Sequence, residues 1–307
     1  MGSRRANLFL IGAAKSGTTT LARLLSEHPQ IEALAIKEPG HFCTDLRTST
    51  FTKSYNRLLQ WDEAAYFAQD PLPERHIGFV EEAANYQRLV DACDAPFILD
   101  ASTAYLYSTE AAINLRAYNP QAKIVVILRA PQERAYSHYM MARKYGMEKL
   151  PVTAAFEREL KLSVAKWGRD ECYLELGNYA SQLERYYKTF AKEQILVLFA
   201  EELDEDPQKV LTRVAHFLDL PTFAAASVRR ENAGSVPRYP KLNAFGMRVL
   251  APVRDKLPSE TVRTLKKLTQ RKPEPLPEEA KALLRGYYEG ELVRLEKMIN
   301  KDLQHWK

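Results

Sequence analysis

The chain has 307 residues, of which 46% are hydrophobic, and we expect one domain over residues 1–307, because no linker, repeat or break in composition divides it. The net charge of +5 is too mild to require a nucleic acid, although it suits a small, multiply charged anion. Cys43, Cys93 and Cys172 have no metal or disulfide spacing. No run reaches the ~18 apolar residues of a membrane span, and a strand from residue 8 leaves no room for a signal peptide. We therefore expect a cytoplasmic protein with no membrane span.

A buried strand, a glycine loop and a helix follow one another near the start of the chain. Residues 8–11 are all apolar, Gly12 and Gly17 enclose a loop, and the leucines of residues 21–25 have helical spacing. Glycines let a backbone approach a ligand, and the free amides of a helix N-terminus attract anions. The pattern predicts a phosphate-binding loop, although an ordinary strand, turn and helix is the alternative. Its candidate ligand-binding residues are Lys15, Ser16, Gly17, Thr18 and Thr19.

The loop differs from a Walker A sequence in the position of its lysine. A Walker A loop has lysine directly after the second glycine, whereas this chain has Thr18 there and carries Lys15 inside the loop. The run from Lys15 to Thr19 resembles the loop of sulfotransferases that binds the 5′-phosphosulfate of 3′-phosphoadenosine 5′-phosphosulfate (PAPS). The resemblance implies that Lys15 stabilises the leaving phosphate.

Residues 31–36 predict a second strand, and charged residues follow it. Lys37 and Glu38 stand at its carboxyl end, where open α/β sheets bind ligands; a surface ion pair is the alternative. The segment resembles the Lys-Glu-Pro segment of heparan-type sulfotransferases, which implies that Glu38 is the catalytic base. Gly40 is an insertion relative to that pattern, so His41 is a rival base. Lys37 and His41 are also candidate acceptor-binding residues.

Residues 44–95 show no alternation typical of a strand and predict short helices, with Asp62 capping one of them. Their aromatic residues either line an acceptor pocket or pack a helical layer onto the sheet. Residues 96–100 predict a third strand that ends in Asp100, which could serve as the magnesium ligand of a P-loop kinase. The next segment resembles one that flanks the acceptor site of sulfotransferases, and this makes Ser102 and Tyr105 candidate acceptor-binding residues. A helix cap and a packed ring are the alternatives.

Residues 123–128 predict a fully buried strand, and a helix over 132–145 follows it. Arg129 stands at the strand tip, and an arginine fork suits a phosphate. Residues 127–139 closely resemble the sulfotransferase motif for the 3′-phosphate, which implies that Arg129 and Ser137 bind that group.

The remaining segments predict helices around one further strand. We expect helices over 152–166 and from residue 177, a last strand over 195–199, a helix over 207–220 and a terminal helix from residue 277. Ala200 stands where cytosolic sulfotransferases often have a tyrosine that contacts adenine. Residues 221–242 predict a loop, in which Arg229, Arg230 and Arg238 either close over the 3′-phosphate or are solvated. The basic residues of 248–272 either are solvated or bind an acidic partner.

Together these patterns predict an α/β fold, a single three-layer αβα domain with a central parallel sheet of the P-loop NTPase type. Its core covers about residues 6–220, and 243–307 form a helical C-terminal part. The resemblance implies a PAPS-dependent sulfotransferase that needs no metal, releases PAP and sulfates a hydroxyl or an amine. The acceptor, a small molecule, glycan or lipid, stays open, as does the oligomeric state. A kinase using ATP and magnesium and a non-catalytic nucleotide-binding module are the alternatives.

Overall fold

The computed structural model describes residues 4–164, 166–223, 236–237, 270–271 and 274–307. Its strands are β1 (Leu8–Leu10), β2 (Ile31–Ala33), β3 (Ile36–Glu38), β4 (Arg75–Ile77), β5 (Phe97–Asp100), β6 (Lys123–Leu128), β7 (Ile195–Phe199), β8 (Val236–Pro237) and β9 (Gln270–Arg271). Its helices are α1 (Thr18–Leu25), α2 (Lys53–Leu59), α3 (Glu63–Phe67), α4 (Ala83–Asp91), α5 (Ala104–Tyr107), α6 (Ala111–Tyr118), α7 (Pro131–Lys144), α8 (Val152–Leu160), α9 (Tyr179–Thr189), α10 (Ala200–Glu205), α11 (Pro207–Leu218) and the C-terminal helix (Glu278–Ile299).

Within the described residues, the central sheet has five parallel strands in the order β2-β5-β1-β6-β7. Parallel strands covered on both faces are apolar throughout, and all of β6 after Lys123 is buried. One face of the sheet packs against α1 and α11, and the other packs against α4–α7, α9 and the C-terminal helix. The predicted α/β architecture with a parallel sheet between helical layers is therefore confirmed. The division of the chain into domain parts stays a prediction.

The predicted strand over 31–36 is two strands that belong to different sheets. β2 pairs with β5 in the central sheet, while β3 leaves it and pairs in parallel with β4. The chain bends between them at Leu34 and Ala35, and the Leu34 amide still donates to the Leu99 carbonyl at 3.0 Å. The expectation of helices alone in 44–95 was wrong, because β4 lies there. Its sequence, Arg-His-Ile, has no apolar alternation, so its pairing with β3 depends on tertiary structure.

The C-terminal helix packs onto the layer that supports the end of β6. Leu284, Tyr288, Leu292 and Leu295 form its buried stripe, as the periodicity predicts. Its Tyr288 hydroxyl donates to the Leu174 carbonyl at 2.8 Å, just before the turn that leads into α9. None of the helices in the described ranges is long and apolar enough to cross a bilayer, and the cytoplasmic location stays a prediction.

Candidate functional site

The glycine loop between β1 and α1 is fixed to the neighbouring strand β6. The Ala13 amide donates to the Ile127 carbonyl at 2.7 Å, and the Ile127 amide donates to the Gly12 carbonyl at 2.8 Å. A Cβ atom on Gly12 would lie 2.9 Å from the Leu106 Cβ atom, so this position requires glycine. Gly17, with φ 90°, caps α1, and no side chain caps this helix within the described part of the chain. The first turn of α1 therefore presents backbone amides to an anion.

Lys15 lies in this loop among other charged groups. Its Nζ atom is 3.4 Å from the Met141 Sδ atom of α7. Burial lowers the pKa of Lys15, the positive charges of Lys144 and Arg129 lower it further, and the Glu38 carboxylate partly offsets them. The fold therefore brings the loop lysine, the tip of β6 and the end of β3 to one region. The positions of Lys15 and Arg129 after neighbouring strands of one sheet predict their part of this arrangement.

Arg134 adds a fully buried cation whose charge acts on Lys15 of the loop. It is 0% exposed, and its Nη2 atom donates to the Tyr173 carbonyl. Its Nε and Nη1 atoms have no hydrogen-bond partner among the described residues. Glu159 is a nearby carboxylate; burial raises its pKa, and the charge of Arg134 opposes that rise. The charge of Arg134 acts on Lys15 and so adds to the positive potential at the loop, which favours an anion.

Arg129 and Ser137 lie on the same strand–helix unit, as predicted. The Arg129 carbonyl accepts a hydrogen bond from the Tyr179 hydroxyl at 3.0 Å, which fixes the strand tip. Its Nε and Nη2 atoms donate to the Glu133 Oε2 atom at 3.0 and 2.8 Å. The Glu133 side chain is 63% exposed, and such a surface pair contributes only about 0–1 kcal/mol. A phosphate can therefore replace this carboxylate on the arginine fork.

Glu38 is held at the end of β3 by one contact to each carboxylate oxygen. Its Oε1 atom is 2.9 Å from the Lys37 Nζ atom, and its Oε2 atom accepts from the Thr103 hydroxyl at 2.8 Å. Burial acts to raise the pKa of Glu38, but the charge and hydrogen bond of Lys37 and the bond from Thr103 outweigh it and lower the pKa. Glu38 is therefore an ionised, oriented carboxylate at neutral pH. The sequence analysis missed Thr103, although it lies between Ser102 and Tyr105 at the end of β5.

His41, the rival base, is used in packing. Its Nδ1 atom is 2.8 Å from the Val80 carbonyl, so that nitrogen carries the proton. The ring stacks on Tyr86 at a centroid distance of 4.4 Å. Burial lowers the pKa of His41, so the imidazole is neutral at neutral pH and only its Nε2 atom is available as a base.

Asp100, Ser102 and Tyr105 form a buried network beneath this region. The Asp100 carboxylate accepts from the hydroxyls of Ser102 and Tyr105 at 2.7 Å each and of Tyr86 at 2.9 Å. Burial raises the pKa of Asp100 to about 6. The Gly40 amide donates to the Ser102 Oγ atom at 3.1 Å, so the network ties the loop after β3 to β5. Ser102 and Tyr105 are 0% exposed, and their contact with an acceptor stays a prediction.

Some residues predicted for the site lie outside the residues that the structure describes. Arg229, Arg230 and Arg238 lie outside the described residues, as do all but two residues of the basic stretch 248–272. In the ranges that are described, no three His, Cys, Asp or Glu side chains are grouped as metal ligands. Whether the chain works without a metal stays a prediction.

Comparisons with known proteins identify relatives of this chain. A model of the sulfotransferase domain matches residues 5–233. Human heparan sulfate glucosamine 3-O-sulfotransferase 3B1 is 27% identical over 217 residues, which are 69% of this chain and 45% of that protein. Mouse bifunctional heparan sulfate N-deacetylase/N-sulfotransferase 4 is 24% identical over 299 residues, 95% of this chain and 30% of that protein. The chain thus spans less than half the length of these relatives.

A solved structure shares the fold. The crystal structure of a sulfotransferase from Alicyclobacillus acidocaldarius superposes with a TM-score of 0.68 at 24% identity, over 98% of both chains. At this level of identity the likeness shows the architecture: a central parallel sheet between layers of helices.

Proposed function

Because the chain belongs to the sulfotransferase domain family, we propose that it transfers the sulfuryl group of PAPS to a hydroxyl or amino group of a carbohydrate and releases PAP. The observation that best supports this is the convergence of Lys15, Glu38 and Arg129 at the carboxyl ends of β1, β3 and β6. The curated relatives are named for heparan sulfate, for its glucosamine hydroxyl and for its nitrogen, which favours a carbohydrate over a lipid or a phenol.

The residues on the β1 and β6 side fit a donor with phosphates at both ends. PAPS supplies the sulfuryl group and a phosphate leaving group. Lys15 and the amides of α1 hold the 5′ end, and Lys15 stabilises the negative charge that grows on the leaving oxygen. Arg129 and Ser137 hold the 3′-phosphate, with the guanidinium fork bonding two oxygens. Thr18 and Thr19 add hydroxyl donors at the start of α1.

Glu38 acts on the acceptor side. Its lowered pKa keeps it ionised at neutral pH, so it accepts the proton of the acceptor group as the new oxygen–sulfur or nitrogen–sulfur bond forms. Lys37 and Thr103 hold one carboxylate oxygen each and fix the direction in which the free lone pairs point. General-base help of this kind contributes about 10²–10⁴-fold to a rate.

The proposed function is tested by binding and turnover. Calorimetry should show that the chain binds PAP without magnesium and more tightly than ATP. Incubation with radiolabelled PAPS and a panel of a heparosan hexasaccharide, de-N-sulfated heparin and 4-nitrophenol should then label a carbohydrate. Tight binding of ATP that depends on magnesium contradicts the proposal, and PAP binding without any transfer favours the non-catalytic module.

Arg129→Ala should weaken PAP binding by about 10- to 100-fold, because a hydrogen bond to a charged group contributes about 1.5–3 kcal/mol. Binding of adenosine 5′-phosphate, which has no 3′-phosphate, should change little. Calorimetry with both ligands measures the difference. Glu133→Gln is the matched variant: it removes the carboxylate that occupies the arginine fork, so PAP should bind more tightly. Equal losses for both nucleotides in Arg129→Ala contradict this assignment.

Activity should survive chelation by EDTA, because Lys15 and the loop amides supply the charge stabilisation that a metal gives a kinase. The kinase alternative requires Asp100 as a magnesium ligand. That carboxylate is 0% exposed and accepts three hydroxyl hydrogen bonds, which does not suit a metal ligand. Initial rates of sulfate transfer with and without EDTA measure the effect, and loss of activity that magnesium restores would favour the kinase.

A further inference from the structure

Two successive residues after β5 contact the end of β3 and the turn that follows it. The Ser102 Oγ atom accepts from the Gly40 amide at 3.1 Å. The Thr103 hydroxyl donates to the Glu38 Oε2 atom at 2.8 Å. β3 pairs with β4 and takes no part in the central sheet, so no strand pairing sets its position relative to β5. These two side-chain hydrogen bonds therefore connect the proposed catalytic base and its turn to the end of a central strand.

The hydroxyl of Ser102 is used on both sides. It donates its proton to the Asp100 Oδ1 atom at 2.7 Å, so its oxygen accepts from the Gly40 amide through a lone pair. Asp100 is itself held, since its Oδ2 atom accepts from the hydroxyls of Tyr86 and Tyr105 at 2.9 and 2.7 Å. Asp100 and Ser102 are both 0% exposed. The serine therefore links the turn after β3 to a buried carboxylate whose position is fixed.

The backbone at Gly40 cannot be fixed by a side chain of its own. Gly40 is buried, and its φ of +58° lies in the left-handed region. A Cβ atom there would lie 3.2 Å from the Cδ1 atom of Phe79, so the position favours glycine. A buried amide that loses its partner is costly, so the turn should shift if the hydroxyl of Ser102 is removed. Because Glu38 lies two residues before Gly40, such a shift moves the base.

We propose that Ser102 is a positioning residue for the catalytic base Glu38. The inference rests on the proposed function and adds to it a residue that acts through the backbone, without touching the acceptor. Ser102 holds the turn just beyond the base, while Thr103 orients the carboxylate itself. A misplacement of about 1 Å can cost about 10²-fold in rate, so the loss of the Ser102 hydroxyl should be seen in the step that needs the base.

The test measures kcat of Ser102→Ala with heparosan hexasaccharide, whose hydroxyls need a base, and with 4-nitrophenol at a pH where it is ionised. With the hexasaccharide kcat should fall by about 10- to 100-fold, while kcat with 4-nitrophenol and the affinity for PAP should change little. Ser102→Cys keeps the volume, and its thiol donates and accepts only weakly, so it should show a smaller loss of the same kind. Tyr86→Phe is the matched control. It removes a different hydroxyl from the Asp100 carboxylate, leaves the bond between Ser102 and Gly40 in place, and should keep both rates.

A double variant separates positioning of the base from a general loss of structure. In Glu38→Gln the base is already removed, so adding Ser102→Ala should cause little further loss with the hexasaccharide, whereas independent effects would multiply. Multiplied losses, equal losses with both acceptors, or an unchanged kcat in Ser102→Ala each overturn the inference alone. A higher KM for the hexasaccharide at unchanged kcat also overturns it, because Ser102 would then bind the acceptor. Normal turnover of Glu38→Gln with the hexasaccharide, or no PAP binding by the unchanged chain, overturns the proposed function itself.

Discussion

Replacement of Lys15 by alanine is expected to lower turnover by about 10²- to 10³-fold, the usual cost of removing one group that stabilises charge in a transition state. Lys15 lies in the glycine loop and reaches Met141, and its charge interacts with Glu38 and Arg129. The lost charge acts on the leaving oxygen, so the decrease should be seen with every acceptor. Initial rates with radiolabelled PAPS measure it. Lys192→Ala, at an exposed position before β7, is the matched control.

The pH profile separates a catalytic role of Lys15 from simple binding. Burial, followed by the charges of Lys144 and Arg129, lowers the pKa of Lys15. As the pH rises, its charge is therefore lost earlier than that of an ordinary lysine. The phosphates of a bound nucleotide should raise this pKa again. In the pH profiles, kcat should thus fall at a higher pH than kcat/KM does on the basic side. Neither of these basic-side decreases should be seen in Lys15→Ala. A kcat of Lys15→Ala within twofold of the original contradicts the role.

The parts of the fold that the sequence predicts well are those whose signals are local. Residues 123–128 are an apolar run that forms β6, and Pro131 and Gly146 mark the limits of α7 with little error. Asp62 caps α3 as expected, since its carboxylate accepts from the Ala65 amide. The β3–β4 sheet lacks such signals. Its strands have three residues each and mix charged with apolar side chains, so only the tertiary contacts decide that they pair.

The sequence also predicts some residues of the candidate site better than others. Lys15 and Arg129 follow β1 and β6, which are neighbours in one parallel sheet, so their convergence could be predicted. Glu38 ends β3, which pairs with β4 outside that sheet, so its approach to Lys15 depends on tertiary structure. Thr103 could not be found by spacing. It follows β5 of the central sheet and donates to Glu38 of β3, which belongs to the other sheet.

The pair of Arg129 with Glu133 is a different case. Its spacing of four residues is visible in the sequence, and such pairs are neighbours on a helix. Arg129 comes before the first residue of α7, however, so the contact also requires the turn at Ala130. The carboxylate on the arginine fork is therefore a feature that only the structure supplies.

Glu38→Gln should lower turnover by about 10²-fold or more with an alcohol as the acceptor, because an amide cannot take the proton that the carboxylate takes. The amide keeps the shape of the side chain, so Thr103 can still donate to its oxygen. The affinity for PAP, measured by calorimetry, should be nearly unchanged, since the role proposed for Glu38 is on the acceptor side. In the unchanged chain, activity should be retained through neutral pH and lost only below about 4.5, where Glu38 becomes protonated; its pKa is lowered from 4.5.

Comparing two kinds of acceptor tests whether Glu38 acts as a base. A phenol that is already ionised at the pH of the assay needs no base, so Glu38→Gln should lose much less turnover with 4-nitrophenol than with an alcohol. Thr103→Val is a second test variant, because it removes one hydrogen bond that lowers the pKa of Glu38. The pH below which activity is lost should therefore rise, while activity at neutral pH is kept. Near-normal turnover of Glu38→Gln with a neutral alcohol would mean that another group is the base. The Nε2 atom of His41 is then the next candidate, ahead of Asp100, whose carboxylate is enclosed by Tyr86, Ser102 and Tyr105.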